Sequence, residues 1–157
     1  MQPHEIRPDT QLATIIGYNA QTGDVRRYFN KILKRQGINA TGIALNLNDD
    51  NFAFTMQHIA KSKIDKVLLE PEFRQAVLPY CDDLNDEAKR SGACDFLEID
   101  AGKIVGYAIA TEAEALFADA SMVDEQARFA AKMMIVANRW FGAKIDIDTI
   151  PLILGEK

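Results

Sequence analysis

Between Gln11 and Leu69, three short apolar runs alternate with two amphipathic stretches, an order that few folds accept. Gln11 to Gly17 (QLATIIG) is buried-looking and β-branched, as a strand should be. Asp24 to Gln36 places Val25, Tyr28, Phe29, Ile32 and Leu33 on one helical stripe, and Gly37 sits where a helix-terminating residue belongs. Gly42 to Leu47 predicts a second strand. Asn48 to Asn51 supplies capping residues for a helix over Phe52 to Ser62, and Lys66 to Leu69 closes the series as a third strand. A β-α-β-α-β order implies a parallel or mainly parallel sheet with right-handed crossovers.

The middle of the chain changes character. Glu72 to Tyr80 and Asn85 to Ser91 predict two short helices, the second capped by Asn85. Asp95 to Ile99 and Lys103 to Ile109 predict strands around the turn Asp100-Ala101-Gly102. Thr111 to Phe117 reads as a helix capped by Thr111, and Ser121 to Phe141 as the longest helix, ended by Gly142. Ile147 to Leu154 is a short last element containing Pro151. The expectation is one α/β domain over residues 1–157. It is a three-layer arrangement of a mixed, mainly parallel sheet with helices on both faces, preceded by a loose arm (Met1 to Thr10). The helices of residues 121–157 are expected to pack on the same domain.

Composition removes several classes of function. The net charge of −5 argues against a general nucleic-acid binder, which needs a basic face for phosphates. Arg26, Arg27, Lys31, Lys34 and Arg35 lie at helical spacing and read as a solvated helix face. No run approaches the roughly 18–20 apolar residues that cross a bilayer. The polar start MQPHEIRPDTQ has no apolar signal core, so a cytoplasmic protein is expected, and the sequon at Asn39 carries no meaning there. Cys81 and Cys94 form no CxxC pair and read as small buried hydrophobes. His4 and His58 have no ligand-spaced companions, so no metal site is expected. No GxGxxG, GxxxxGK[ST] or GxSxG pattern is present, and no nucleotide cofactor is expected.

An ordered series of segments resembles one family. The stretch from Asp49 through Phe117, including AVLPYCDDLNDEAKRSGACDFLEIDAGKIVGYAIATEAEALF, resembles the substrate-binding domain of shikimate dehydrogenases. IIGYNAQTGDVRRYFNKILKRQGINA is similar to that family's opening strand, loop and first helix. NRWFG (Asn138 to Gly142) resembles part of its closing helices. The resemblance implies a substrate-binding domain with its closing helices but without the NADP-binding domain between them, the join falling near Phe117 to Ser121.

The departures from the family concern its chemistry. Its substrate carboxylate is held by two serines of the first loop, where this sequence has Gly23 and Val25. An asparagine and a threonine near the third strand are replaced by Leu68 and Glu70, and a pocket asparagine by Asp95. The catalytic lysine and aspartate correspond to Arg74 and Ala110. A desolvated lysine can exchange a proton near neutral pH, whereas an arginine stays protonated and an alanine offers nothing. No catalytic residue is therefore carried over.

The ligand-pocket candidates are Arg74, Glu70, Asp95, Gly23, Gln126 and Lys132. Arg74 can grip a carboxylate through parallel hydrogen bonds, or it can pair with Glu70 or Glu72 as an ordinary ion pair, or with Asp95 to fill the old pocket. Gln126 or Lys132 meets the family's substrate-contacting glutamine, depending on which helix segment anchors the match. Alternatively Met122, Phe129, Met133, Val136 and Trp140 form a core stripe and Lys132 points outward. Three roles remain open at this point. The first is a stand-alone, non-catalytic domain that binds a small anionic metabolite. The second is a structural or interaction protein, a homodimer, that kept only the fold. The third is half of a split dehydrogenase acting with a nucleotide-binding chain.

Overall fold

The computed structural model describes residues 6–117 and 124–155. Among the described residues, the strands and α-helices begin with β1 (Gln11–Gly17), α1 (Asp24–Arg35), β2 (Ala40–Asn46), α2 (Asp49–His58) and β3 (Lys66–Leu69). They continue with β4 (Asp83–Leu84), α3 (Asp86–Ser91), β5 (Phe96–Asp100) and β6 (Lys103–Tyr107). Three helices complete the order: α4 (Ala110–Ala115), α5 (Glu125–Phe141) and α6 (Ile150–Gly155). The described residues fall into two compact units. One contains Leu12–Arg26 and Gly42–Ala108; the other contains Arg27–Thr41, the residues up to Gln11, and the chain from Ile109 onward.

The first unit carries a mixed six-stranded sheet of order β2-β1-β3-β5-β6-β4. β1 and β3 are parallel, with Ile15 opposite Leu68, an arrangement that the long connection through α1, β2 and α2 allows. β5 then runs antiparallel to β3, placing Leu97 opposite Val67, and antiparallel to β6. The β5–β6 hairpin turns at Ala101 and Gly102, both at positive φ (51° and 79°), the conformation that a two-residue hairpin of this hand demands. β4 lies parallel to β6 at the sheet's end. Behind the sheet, Ile16, Phe52, Met56, Val67, Leu69, Phe73, Val77 and Leu97 form one buried cluster. Each such side chain contributes on the order of 1.5–3 kcal/mol through burial.

Polar caps fix the helix starts of this unit. The Asn48 side chain accepts from the Asn51 N–H at 2.8 Å, and Asn85 accepts from that of Ala88 at 3.0 Å. Asn85 also bonds both backbone groups of Ala108, tying α3 to the end of β6.

In the other unit, the buried stripe of α1 meets aromatic residues of α5. Phe29 stands edge-on to Trp140 at 6.1 Å between centroids, and Tyr28 edge-on to Phe129 at 5.3 Å. Arg128 pairs with Glu114 at 2.7 Å, linking α5 to α4. Asp124 caps α5 by accepting from the Ala127 N–H, and Gly142 ends it at φ 65°. Asn138 then holds the backbone of Ile145 in both directions. The expected helix start at Ser121, Met122 of the stripe, most of the expected join, and His4 lie outside the described residues.

Two expectations require correction. Glu72 to Tyr80 is not a helix. It consists of 3-10 turns at Pro71–Phe73 and Leu78–Tyr80, because Pro79 has no N–H to continue an α-helical ladder. Thr111 is not the cap of α4, which opens one residue earlier, at Ala110, after Ile109. No described helix is long and apolar enough to cross a membrane.

Candidate functional site

The site is assembled where β3 ends. Leu69 and Glu70 are held from both sides: the Leu69 N–H donates to the Asp95 carbonyl, and the Glu70 N–H to that of Ile16. Beyond Glu70, Pro71 starts a 3-10 turn that aims Glu72 and Phe73 in different directions. The Glu72 carboxylate accepts from the Tyr18 N–H at 2.8 Å, while Phe73 enters the core.

Glu70 is 7% exposed and its side chain runs between two glycines. A Cβ on Gly17 would stand 2.6 Å from Glu70 Cγ. A Cβ on Gly23 would stand 2.1 Å from Glu70 Oε1 and 2.8 Å from Cδ. Both glycines are therefore present because Glu70 occupies the space that their side chains would fill. The carboxylate ends at the first turn of α1, where Oε1 accepts the Val25 N–H at 3.1 Å. Gly23, just before α1, cannot cap the helix with a side chain of its own; Glu70 supplies that cap from the end of β3.

Burial pushes the Glu70 carboxyl above the usual carboxylate range; the Val25 N–H opposes this, Glu72 adds to it, Arg74 lowers it and Asp24 raises it. The folded protein thus holds this proton more tightly than the unfolded chain. The resulting stabilisation is complete below the ordinary glutamate pKa of about 4.3 and is lost as pH rises through Glu70's folded pKa. Glu70→Gln, neutral at every pH, should gain stability over the wild type between acidic and neutral conditions. Urea unfolding of both proteins at pH 4 and pH 7.5 tests this, and a stability difference that does not change with pH would contradict it.

Arg74 does not pair with Glu70 or Glu72 as a surface ion pair. Its Nε lies 3.8 Å from Oδ1 of Asp95, whose side chain is 7% exposed, and Nε has no hydrogen-bond partner among the described residues. The 3-10 backbone accounts for this choice, because the i, i+4 geometry that would stack Arg74 on Glu70 needs an α-helix. Gly23, Glu70, Arg74 and Asp95 thus all belong to one unit. Gln126, exposed, and Lys132, half-buried, lie on α5 of the other unit. Ala110 opens α4 there as well. Among the described residues, no group of three or more His, Cys, Asp or Glu side chains is placed to hold a metal ion.

Sequence reasoning missed two relationships: the docking of Glu70 against Gly17 and Gly23, and the contact of Cys81 with Cys94 beside Gly106. Isolated glycines facing distant side chains were the only available signal.

No protein-family model matches the chain. Among curated proteins, it is 24% identical over 102 residues to the shikimate dehydrogenase (NADP(+)) of Aquifex aeolicus (strain VF5), a match covering 65% of this chain and 38% of that protein. It is 26% identical over 98 residues to that of Streptococcus suis (strain 05ZYH33), covering 62% and 34%. The crystal structure of the Aquifex aeolicus shikimate dehydrogenase shares its fold, with a TM-score of 0.60 at 22% identity, over 71% of this chain and 42% of that one. The class defined by fold and sequence is that of α/β domains of the shikimate dehydrogenase type. The chain is a partial-length homologue of the shikimate dehydrogenase family over about 65% of its residues, and spans about a third of the curated relatives' length.

Proposed function

We propose that this chain is a non-catalytic domain of the shikimate dehydrogenase type whose own Glu70 holds the substrate seat closed, and that it acts through its surface as a homodimer. The observation carrying this reading is the Glu70 carboxylate at the start of α1, against Gly23 and Val25. These are the two positions where the family resemblance puts the serines that grip a substrate carboxylate. A carboxylate ligand arriving there would find the Val25 N–H already taken by Glu70, with the Glu72 and Asp24 carboxylates close by. Arg74, the one cation of the cluster, already faces Asp95. The family resemblance puts the catalytic lysine and aspartate at Arg74 and Ala110, and neither an arginine nor an alanine can exchange that proton. The homodimer part of the reading draws on the exposed apolar side chains Leu12, Ile43 and Phe54 of the same unit.

One observation favours metabolite binding instead: the buried Arg74 Nε lacks a hydrogen-bond partner among the described residues, and a small carboxylate would supply an acceptor. Thermal-shift titration with hydroxylated ring acids, together with light scattering, separates the two roles. The closed-seat reading expects no stabilisation of the wild type and a dimer mass. Saturable stabilisation by a ring acid, abolished in Arg74→Ala, would replace it with the metabolite reading.

A further inference from the structure

Cys81 follows the 3-10 turn at Leu78–Tyr80, and Cys94 directly precedes Asp95 and β5. Their sulfurs converge over Gly106 of β6: a Cβ at that position would stand 2.5 Å from Cys94 Sγ and 3.1 Å from Cys81 Sγ. The two thiols share the space that a side chain at position 106 would take, so the sulfurs lie side by side. Both flanks are pinned. The Cys94 N–H donates to the Arg74 carbonyl at 2.9 Å, and the Cys81 N–H to that of Leu78. Asp82, next in the chain, clamps onto β6 through two bonds with Ile104, at 2.7 and 2.8 Å.

We propose that Cys81 and Cys94 form a redox-active dithiol that closes reversibly into an intramolecular disulfide. The two cysteines have different surroundings, which divides the labour between them. Cys94 is buried, and Cys81 is partly exposed with its thiol directed at the Val77 carbonyl, 3.4 Å away. The neighbouring Cys94 thiol draws the Cys81 pKa down, while Cys81 and burial push that of Cys94 up. Cys81, the accessible sulfur, is therefore the one an oxidant reaches first, reacting through its thiolate, and Cys94 is the resolving thiol.

The oxidant is a hydroperoxide. The Cys81 thiolate attacks one peroxide oxygen, so an S–O bond forms and the O–O bond breaks. The other oxygen leaves as an alcohol, or as water from hydrogen peroxide, taking up a solvent proton. Cys94 Sγ then attacks the sulfenic sulfur. The S–S bond forms, the S–O bond breaks, and hydroxide leaves as water with the proton released by Cys94. Two thiols lose two electrons and two hydrogens, and an external thiol reverses the change by exchange. The bridge closes a loop containing β4 and α3.

The test treats the intact protein with hydrogen peroxide, then denatures, alkylates and maps the peptides. The expected product is a Cys81–Cys94 linked peptide, with both alkylation sites lost and both restored by dithiothreitol. In Cys94→Ser, Cys81 should stop at a sulfenic acid that dimedone captures. The proposal fails if both cysteines of the wild type remain alkylatable. It fails equally if Cys81 is bridged only between chains, or proceeds to a sulfinic acid while Cys94 stays reduced. Because the decisive mapping uses the wild-type protein, the folding of the variant does not enter the outcome.

Discussion

Gly23→Ala should destabilise the fold by roughly 2–3 kcal/mol, and should cost less than about 0.5 kcal/mol when Glu70 is already alanine. Gly23 is not at positive φ, so the added methyl strains no backbone dihedral. The cost comes from one place: its Cβ would lie 2.1 Å from Glu70 Oε1, well inside van der Waals contact. The carboxylate cannot swing aside cheaply, because Gly17 confines its stem and the Val25 N–H holds its tip. Displacing it removes the cap of α1, worth about 1 kcal/mol, and adds the cost of repacking a crowded side chain. For a chain of this length, the sum lowers Tm by roughly 4–10 °C. Glu70→Ala removes the obstacle in advance, so the pair should couple by about 1.5–3 kcal/mol in a double-mutant cycle. Gly23→Ser should lose less than Gly23→Ala, since a serine hydroxyl can cap α1 by itself. Equal costs of Gly23→Ala in the two backgrounds would remove Glu70 from the seat, and the closed-seat reading with it.

Local rules made much of the fold legible. Gly37 and Gly142 end α1 and α5 at φ 65°, where glycine escapes the clash a Cβ would cause. Asn48 and Asn85 cap the helices whose starts they mark, and Ala101-Gly102 turns the hairpin. These features involve neighbours in sequence, which periodicity and turn chemistry can read. The stretch from Glu72 to Tyr80 misled because its apolar spacing suits a helix, while Pro71 before it and Pro79 within it each start a separate 3-10 turn. β4 was invisible, being two residues whose pairing with β6 is set by the sheet.

The candidate residues were legible and their partners were not. Glu70, Arg74 and Asp95 stand out as charges beside strand ends. Sequence could not say that Glu70 would reach Val25, 45 positions away, or that Arg74 would turn to Asp95. Such pairings follow from strand order, and here an antiparallel β5 inserted beside β3 brings Asp95 to the site. Cys81 and Cys94 are free thiols, Cys94 buried and Cys81 partly exposed, and their meeting was illegible for the same reason: only the register of β6 sets Gly106 beneath both sulfurs.

Phe73→Ala should be more damaging still, with a loss of about 3–5 kcal/mol in urea unfolding. Phe73 is 1% exposed, lies flat on Phe52 with centroids 4.2 Å apart and planes 4° from parallel, and meets the edge of Tyr18 at 4.9 Å. Truncation forfeits the buried area, opens a cavity, and dissolves two aromatic contacts worth about 0.5–1.5 kcal/mol each. Phe73→Leu should recover part of the volume but neither ring contact, placing it between alanine and wild type. The loss reaches beyond the core because Phe73 anchors the turn that presents Glu70 and Arg74. Its N–H donates to the Glu70 carbonyl, and the next residue's carbonyl receives the Cys94 N–H. Hydrogen exchange at the Phe73 and Cys94 amides should therefore accelerate more in Phe73→Ala than exchange at Asn85-capped α3, which hangs from β6 by separate bonds. A cost below about 1 kcal/mol, or uniform acceleration across the unit, would mean that the turn is not held by this ring. The anchor of both the carboxylate seat and the dithiol would then have to lie in the backbone bonds alone.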